Sequence, residues 1–295
     1  MKKQKIFKIL IICFFLTIVN SLYLFSYRDI IIPEKLIKLR TLTQLKPYLF
    51  DSGEETRAGT VARLAEIGDK DSIEILKDIY EKETYTWRTP EGLYGVKERV
   101  LLALGKIGGD KAKEVLLDTI KKEIKTGPRD WAKDNRIEVD FRFIGICNCA
   151  LRSLILWKDK EVKNFLLEIF NSETTAVIEM GEYSRGLASL GYFRIEMQEK
   201  GILTVEEKVN YLISNLSDSL KMIQSGVQSA EAVKDDGIRM AVIELGPAAI
   251  PFLEEWSKKF PENSYKKNMV DGMKERIEYF ESIKSTFAPS WLAEW

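Results

Sequence analysis

"LLALGKIGGDKAKEVLLDTIKKE" (101–123) carries an apolar helical face, a break at Gly108-Gly109 and a second apolar helical face. "VARLAEIGDKDSIEILKDIYEKE" (61–83), forty positions upstream, repeats it. With Ile107-Gly108 set on Ile67-Gly68, Glu114 falls on Glu74, Val115 on Ile75, Leu116 on Leu76, Asp118 on Asp78 and Lys122-Glu123 on Lys82-Glu83. A match that spans both apolar faces and the turn between them marks a structural repeat. A helical hairpin of this kind has apolar residues on two sides, so it needs neighbours before and after it to bury both. Gly105, Gly108 and Gly109 therefore read as helix packing and turn geometry rather than as a phosphate loop, glycine being the residue that ends a helix in the left-handed conformation.

Working outward, a third unit is "CALRSLILWKDKEVKNFLLEIFNSE" (149–173). Ala150, Leu151, Leu154 and Ile155 form its first face, Trp157-Lys158-Asp159 its turn, and Val162, Phe165, Leu166 and Ile169 its second face. A looser fourth unit has a first helix in "TTAVIEMGEYSRGLASLGYF" ending near Leu190-Gly191. The connector "RIEMQEKGIL" follows, then a helix opened by Thr204 with Glu207 three residues on, a capping box. The fifth, "IRMAVIELGPAAIPFLEEWSKKF" (238–260), turns at Gly246-Pro247, where glycine terminates one helix and proline fits the first turn of the next. Residues 217–236 read as an extra helix of mixed polarity. In 264–284, Tyr265, Met269, Val270, Met273, Ile277 and Phe280 recur at helical spacing, as in a helix that closes a stack. No strand-like alternation persists, so the fold class is all-α.

The first 29 residues differ in kind. Lys2, Lys3, Lys5 and Lys8 precede an apolar run from Ile9 to Val19 that extends through Leu22-Tyr23-Leu24-Phe25. A basic segment followed by an apolar one is the pattern of export targeting, and lysines on the near side keep that end in the cytoplasm. The run is about 17 residues, near the lower limit for spanning a bilayer. The expected organisation is a signal peptide or membrane anchor at 1–26, a repeat solenoid at 27–285 and a tail at 286–295 that holds Trp291, Leu292 and Trp295. The expected location is extracytoplasmic, exported or held at the cytoplasmic membrane by the N-terminal helix.

Composition narrows the chemistry. Lys plus Arg number 45, Asp plus Glu also 45, and the zero net charge gives no footprint of a general nucleic-acid binder. There is no histidine, which removes histidine-based nucleophile pairs, histidine-ligated metals and histidine pH switching. Of the three cysteines, Cys13 lies in the apolar run, and Cys147 and Cys149 are two apart in a helical pattern. That spacing suits buried structural thiols better than a metal or redox site. Glu179, Glu182 and Arg185 suit intrahelical pairing on a solvated face. No cofactor, metal site or catalytic constellation is expected.

With the units laid out, "LGKIGGDKAKEVLLDTI", "LAEIGDKDSIEIL" and "LGPAAIPFL" resemble the HEAT-like repeats first associated with phycobilin lyases. The resemblance covers roughly residues 54–259. It implies a right-handed α–α superhelix of stacked hairpins, used in most such proteins as a binding scaffold. The deoxyhypusine hydroxylase branch holds iron with His-Glu pairs, so without histidine that activity does not carry over.

Two connectors exceed what a stack requires: "TYTWRTPEGLYG" (84–95) and "TGPRDWAKDNRIEVD" (126–140). Both join a second helix to the next first helix and should emerge on one edge. Between them they hold Tyr85, Trp87, Arg88, Tyr94, Arg129, Trp131 and Arg136. Trp, Tyr and Arg are enriched at interaction hot spots, and repeat proteins place insertions on a binding face. These seven residues are the candidate contacts for a protein or peptide partner; the alternative is that the tryptophans fold down over hairpin ends. Two other readings of the chain are a small-ligand protein or lyase-like enzyme using the groove, and an assembly subunit joined through its C-terminal aromatics.

Overall fold

The structure is a computed structural model that describes residues 32–83, 95–127, 141–219 and 229–283. Regular structure among the described residues is helical throughout. Two short helices, α1 (Glu34–Ile37) and α2 (Leu42–Leu45), lead through a 3-10 turn (Lys46–Phe50) into the first hairpin. The hairpins are α3 (Glu54–Ile67) with α4 (Ile73–Lys82), α5 (Val96–Ile107) with α6 (Asp110–Thr126), and α7 (Phe141–Leu154) with α8 (Lys160–Asn171). After a short α9 (Thr175–Glu179) come α10 (Glu182–Glu199) with α11 (Val205–Ser214), then α12 (Ala230–Glu244) with α13 (Ile250–Lys259), and finally α14 (Tyr265–Ile283).

The first helices form one row: α3 packs on α5, α5 on α7, α7 on α10, α10 on α12 and α12 on α14. This position explains their sequences. Flanked on both sides and covered on a third, α3 buries eight consecutive residues from Ala58 to Ala65, and α7 buries Phe143, Ile146, Cys147, Cys149, Ala150, Leu151 and Leu154 completely. Cys147 and Cys149 do face different sides of α7, and both sides are interior. The second helices lie on this row with one face in water. In α4, Ile73, Leu76 and Ile79 point inward, each worth about 1.5–3 kcal/mol on burial, while Lys77, Asp78 and Lys82 remain outside.

Within the first row, glycine sets the spacing. A Cβ on Gly105 would lie 2.6 Å from the Ser153 side chain, and one on Gly237 would lie 2.2 Å from Ser189 Oγ and 2.7 Å from the Leu190 nitrogen. Each serine uses the approach: Ser153 Oγ donates to the Leu101 carbonyl at 2.8 Å, and Ser189 Oγ to the Lys234 carbonyl at 3.1 Å. Second helices are joined by polar bridges as well. Lys113 of α6 reaches Asp159 and Glu161 at the start of α8, at 2.9 and 3.1 Å, and Trp256 Nε1 of α13 donates to Asn210 Oδ1 of α11 at 2.7 Å.

Several turn expectations hold. Gly68, Gly108, Gly109 and Gly246 all have positive φ. Asp159 caps α8 by accepting from the Val162 N–H, and the Thr204–Glu207 capping box is formed in both directions. Two expectations fail. The fourth unit's first helix does not end at Gly191; α10 runs on through the expected connector to Glu199, because Gly191 serves as a packing site where a Cβ would lie 2.4 Å from Ile155 and 2.7 Å from Leu166. The break falls earlier, at Gly181, whose φ of 84° separates α9 from α10. Nor do residues 217–236 form a separate helix as far as they are described: Ser217 to Ser219 are not helical, and residues 230–236 are the first half of α12.

Gly237→Ala should lower stability by about 1–2 kcal/mol, overpacking against Ser189 and Leu190 outweighing the gain in helix propensity. Gly272→Ala, at a position on α14 with no heavy atom within 4 Å of an added Cβ, should raise it by about 0.5–1 kcal/mol. Urea unfolding midpoints of the two variants check both signs.

Candidate binding edge

The seven candidate contacts, Tyr85, Trp87, Arg88, Tyr94, Arg129, Trp131 and Arg136, lie outside the described residues, as do the N-terminal segment and the tail with Trp291, Leu292 and Trp295. The roots of both connectors are described. One leaves Glu83 after α4 and returns at Gly95 before α5; the other leaves Gly127 after α6 and returns at α7. Residues 172–181 and 217–229 likewise join the end of a second helix to the start of the next first-row helix, so the roots of these longer connections share one edge.

That edge is built from arginines that reach from the start of a first helix to the end of a second one, within one hairpin for Arg57 and back to the preceding hairpin for Arg142 and Arg185. Arg57 of α3 grips Glu83, Nε to Oε2 at 3.0 Å and Nη2 to Oε1 at 2.7 Å, and its Nη1 donates to the carbonyls of Asp51 and Ser52. Arg142 of α7 meets Glu123 of α6 at 3.0 Å, both buried. Arg185 of α10 is 1% exposed and donates to the Ser172 carbonyl at 3.2 Å, just past α8. Cations are favourable at helix C-termini, where carbonyls lack intrahelical partners. In α5, buried Glu98 accepts from the Gly95 N–H at 3.0 Å and fixes the point at which the first connector re-enters.

Arg185 corrects the expectation of a solvated Glu179–Glu182–Arg185 face: its guanidinium is interior, bound to backbone, and burial lowers its pKa. Partial burial, with Asp236 nearby, raises the Glu182 carboxyl. Further along the edge, Asp235 of α12 is 1% exposed and accepts from the Ser217 N–H at 3.1 Å, Ser217 Oγ at 3.2 Å and the Tyr265 hydroxyl at 3.0 Å. Burial raises its pKa against those hydrogen bonds. It ties the end of the fourth unit and the start of α14 to α12.

These charged groups serve one another and the backbone. Their geometry joins helices; it does not present a nucleophile beside a base. A depression lined by Asn164, Leu167, Glu168, Asn171 and Ser172 is carried by α8 and its C-terminal cap and opens broadly to solvent. Among the described residues no group of three or more Cys, Asp or Glu side chains is arranged to hold a metal ion, and no helix is long and apolar enough to cross a membrane. The sequence reading missed the arginine clamps, yet a signal was present for two of them: Arg57 and Arg185 each occupy the fourth position of a first helix. No family model, curated protein or solved structure matches this chain.

Two measurements probe the edge. Arg142→Met should cost about 3 kcal/mol, because Glu123 is left charged and buried, and the double variant Arg142→Met/Glu123→Leu should recover most of it. Asp235→Asn should be at least as stable as the parent at pH 7.5. A carboxyl with a raised folded-state pKa contributes stability that is complete below its unfolded value, about 3.9, and is lost as pH rises through the folded value. The stability of the parent relative to Asp235→Asn should therefore increase as pH falls from 7 towards 4, read by urea unfolding across that range.

Proposed function

We propose that the chain is a HEAT-like repeat scaffold, a right-handed α-solenoid that is exported or held at the cytoplasmic membrane by its N-terminal apolar run and binds a protein or peptide partner. The observation that carries this reading is the edge. Five hairpins pack with sequence neighbours, and the roots of the longer connections between them share one side, where the charges of the framework are already engaged in clamps. A rigid rim of this kind suits loops whose side chains face outward to a partner. The Trp-Arg-Tyr content of 84–95 and 126–140 supplies hot-spot chemistry there. The broad opening of the α8 depression favours a macromolecular partner over an enclosed small ligand.

The test is a pull-down from membrane extracts with the full chain and with its Trp87→Ala/Trp131→Ala variant. A partner retained by the parent and lost by the variant supports the reading. Equal recovery from a variant with an unchanged unfolding midpoint removes the connectors from the interface.

A further inference from the structure

The residues that precede the first hairpin form a small collar with two unlike sides. Towards α3, Leu36, Leu45 and Leu49 are buried, Pro33 sits over Gly59, where a Cβ would lie 2.5 Å from its ring, and the Leu39 carbonyl accepts from Arg63 Nε at 3.1 Å. These contacts fix the collar on the stack. Towards solvent, Lys35, Lys38, Arg40 and Lys46 are exposed, and so are Ile37 at 49% and Phe50 at 58%. Lys35 Nζ lies 5.4 Å from the Tyr48 ring centroid, which places α1 beside the 3-10 turn. From residue 32 to 50 there are four cations and one acid, Glu34, in a protein whose net charge is zero; the next acid is Asp51.

We propose that this outward side of the collar binds the surface of an anionic lipid bilayer. Two large apolar side chains among exposed lysines and an arginine have the composition of an interfacial membrane contact, with the apolar groups entering the headgroup region and the cations meeting lipid phosphates. Chain length supports the same occupant. Six residues separate the apolar run ending at Phe25 from Ile32, a reach of at most about 25 Å. A bilayer that takes up the run therefore lies within reach of the collar. The collar's contact goes beyond the anchor reading because its dependence on lipid charge resides in Lys35, Lys38, Arg40 and Lys46, which lie outside the N-terminal segment.

The experiment uses the full chain with vesicles of phosphatidylcholine alone and of phosphatidylcholine mixed with phosphatidylglycerol, read by flotation and by amide hydrogen exchange. Exchange over residues 34–50 should slow several-fold on the mixed vesicles relative to the neutral ones, and the slowing should disappear at about 1 M salt. Each cation replaced should weaken the protection about fivefold, so Lys38→Gln reduces it and Lys35→Gln/Lys38→Gln/Arg40→Gln/Lys46→Gln abolishes it. Unchanged exchange in α5 to α10 reports that the variant is folded. Flotation separates the two readings. If the chain floats with both vesicle types and 34–50 exchange alike on them, or the slowing survives in the quadruple variant, the collar proposal falls and the anchor reading stands. If it floats only with the mixed vesicles and protection of 34–50 accompanies it, the anchor reading falls and the collar proposal stands.

Discussion

The close approach of neighbouring first-row helices, with a serine hydroxyl of one donating to a backbone carbonyl of the next, is the constraint on which the stack depends. At Gly105–Ser153 and again at Gly237–Ser189, the missing Cβ lets a polar side chain reach a helix carbonyl in the interior. The contact satisfies the hydroxyl and sets the spacing together. With the row spaced this way, the second helices need only one apolar face each, and charged residues can occupy the other. Hence α3 and α7 read as nearly continuous interior sequence, whereas α4 and α8 read as amphipathic.

Much of this was legible in the sequence where local chemistry decides it. Helix–turn–helix units, the glycine turns and the Thr204 capping box follow from spacing and from residues with few conformational options. Legibility failed where tertiary packing overrode local signals. Gly191 has the look of a helix terminator, but in the interior of α10 it makes room for Ile155 and Leu166, a demand set by residues of the neighbouring hairpin. Arg185 resembles a solvated partner of Glu182 on a helical wheel; its burial follows from the carbonyls that lie past the end of α8. The candidate contacts of 84–95 and 126–140 stand on sequence chemistry alone, while the edge that bears their roots is defined by the packing of the helices.

The two edges of the stack divide the polar work. One side, where first helices begin, is closed by arginines clamping the ends of second helices. Within the hairpins, the turns are held by left-handed glycines and capping side chains. Buried charge at the first edge is costly unless matched, as Arg142 and Glu123 are, so the clamps also discourage any register in which a first helix slides along its neighbour.

Asp159 illustrates a consequence for assembly. Its carboxylate accepts the Val162 N–H that starts α8 and also binds the Lys113 ammonium of α6. Starting a helix is the unfavourable step of its formation, and here the starting residue is held by a side chain that precedes it in the chain by 46 positions. A chain that emerges N-terminus first has α6 available before α8 must begin. The order of synthesis and the order of stabilisation thus run in the same direction, and the third hairpin has a template waiting for it.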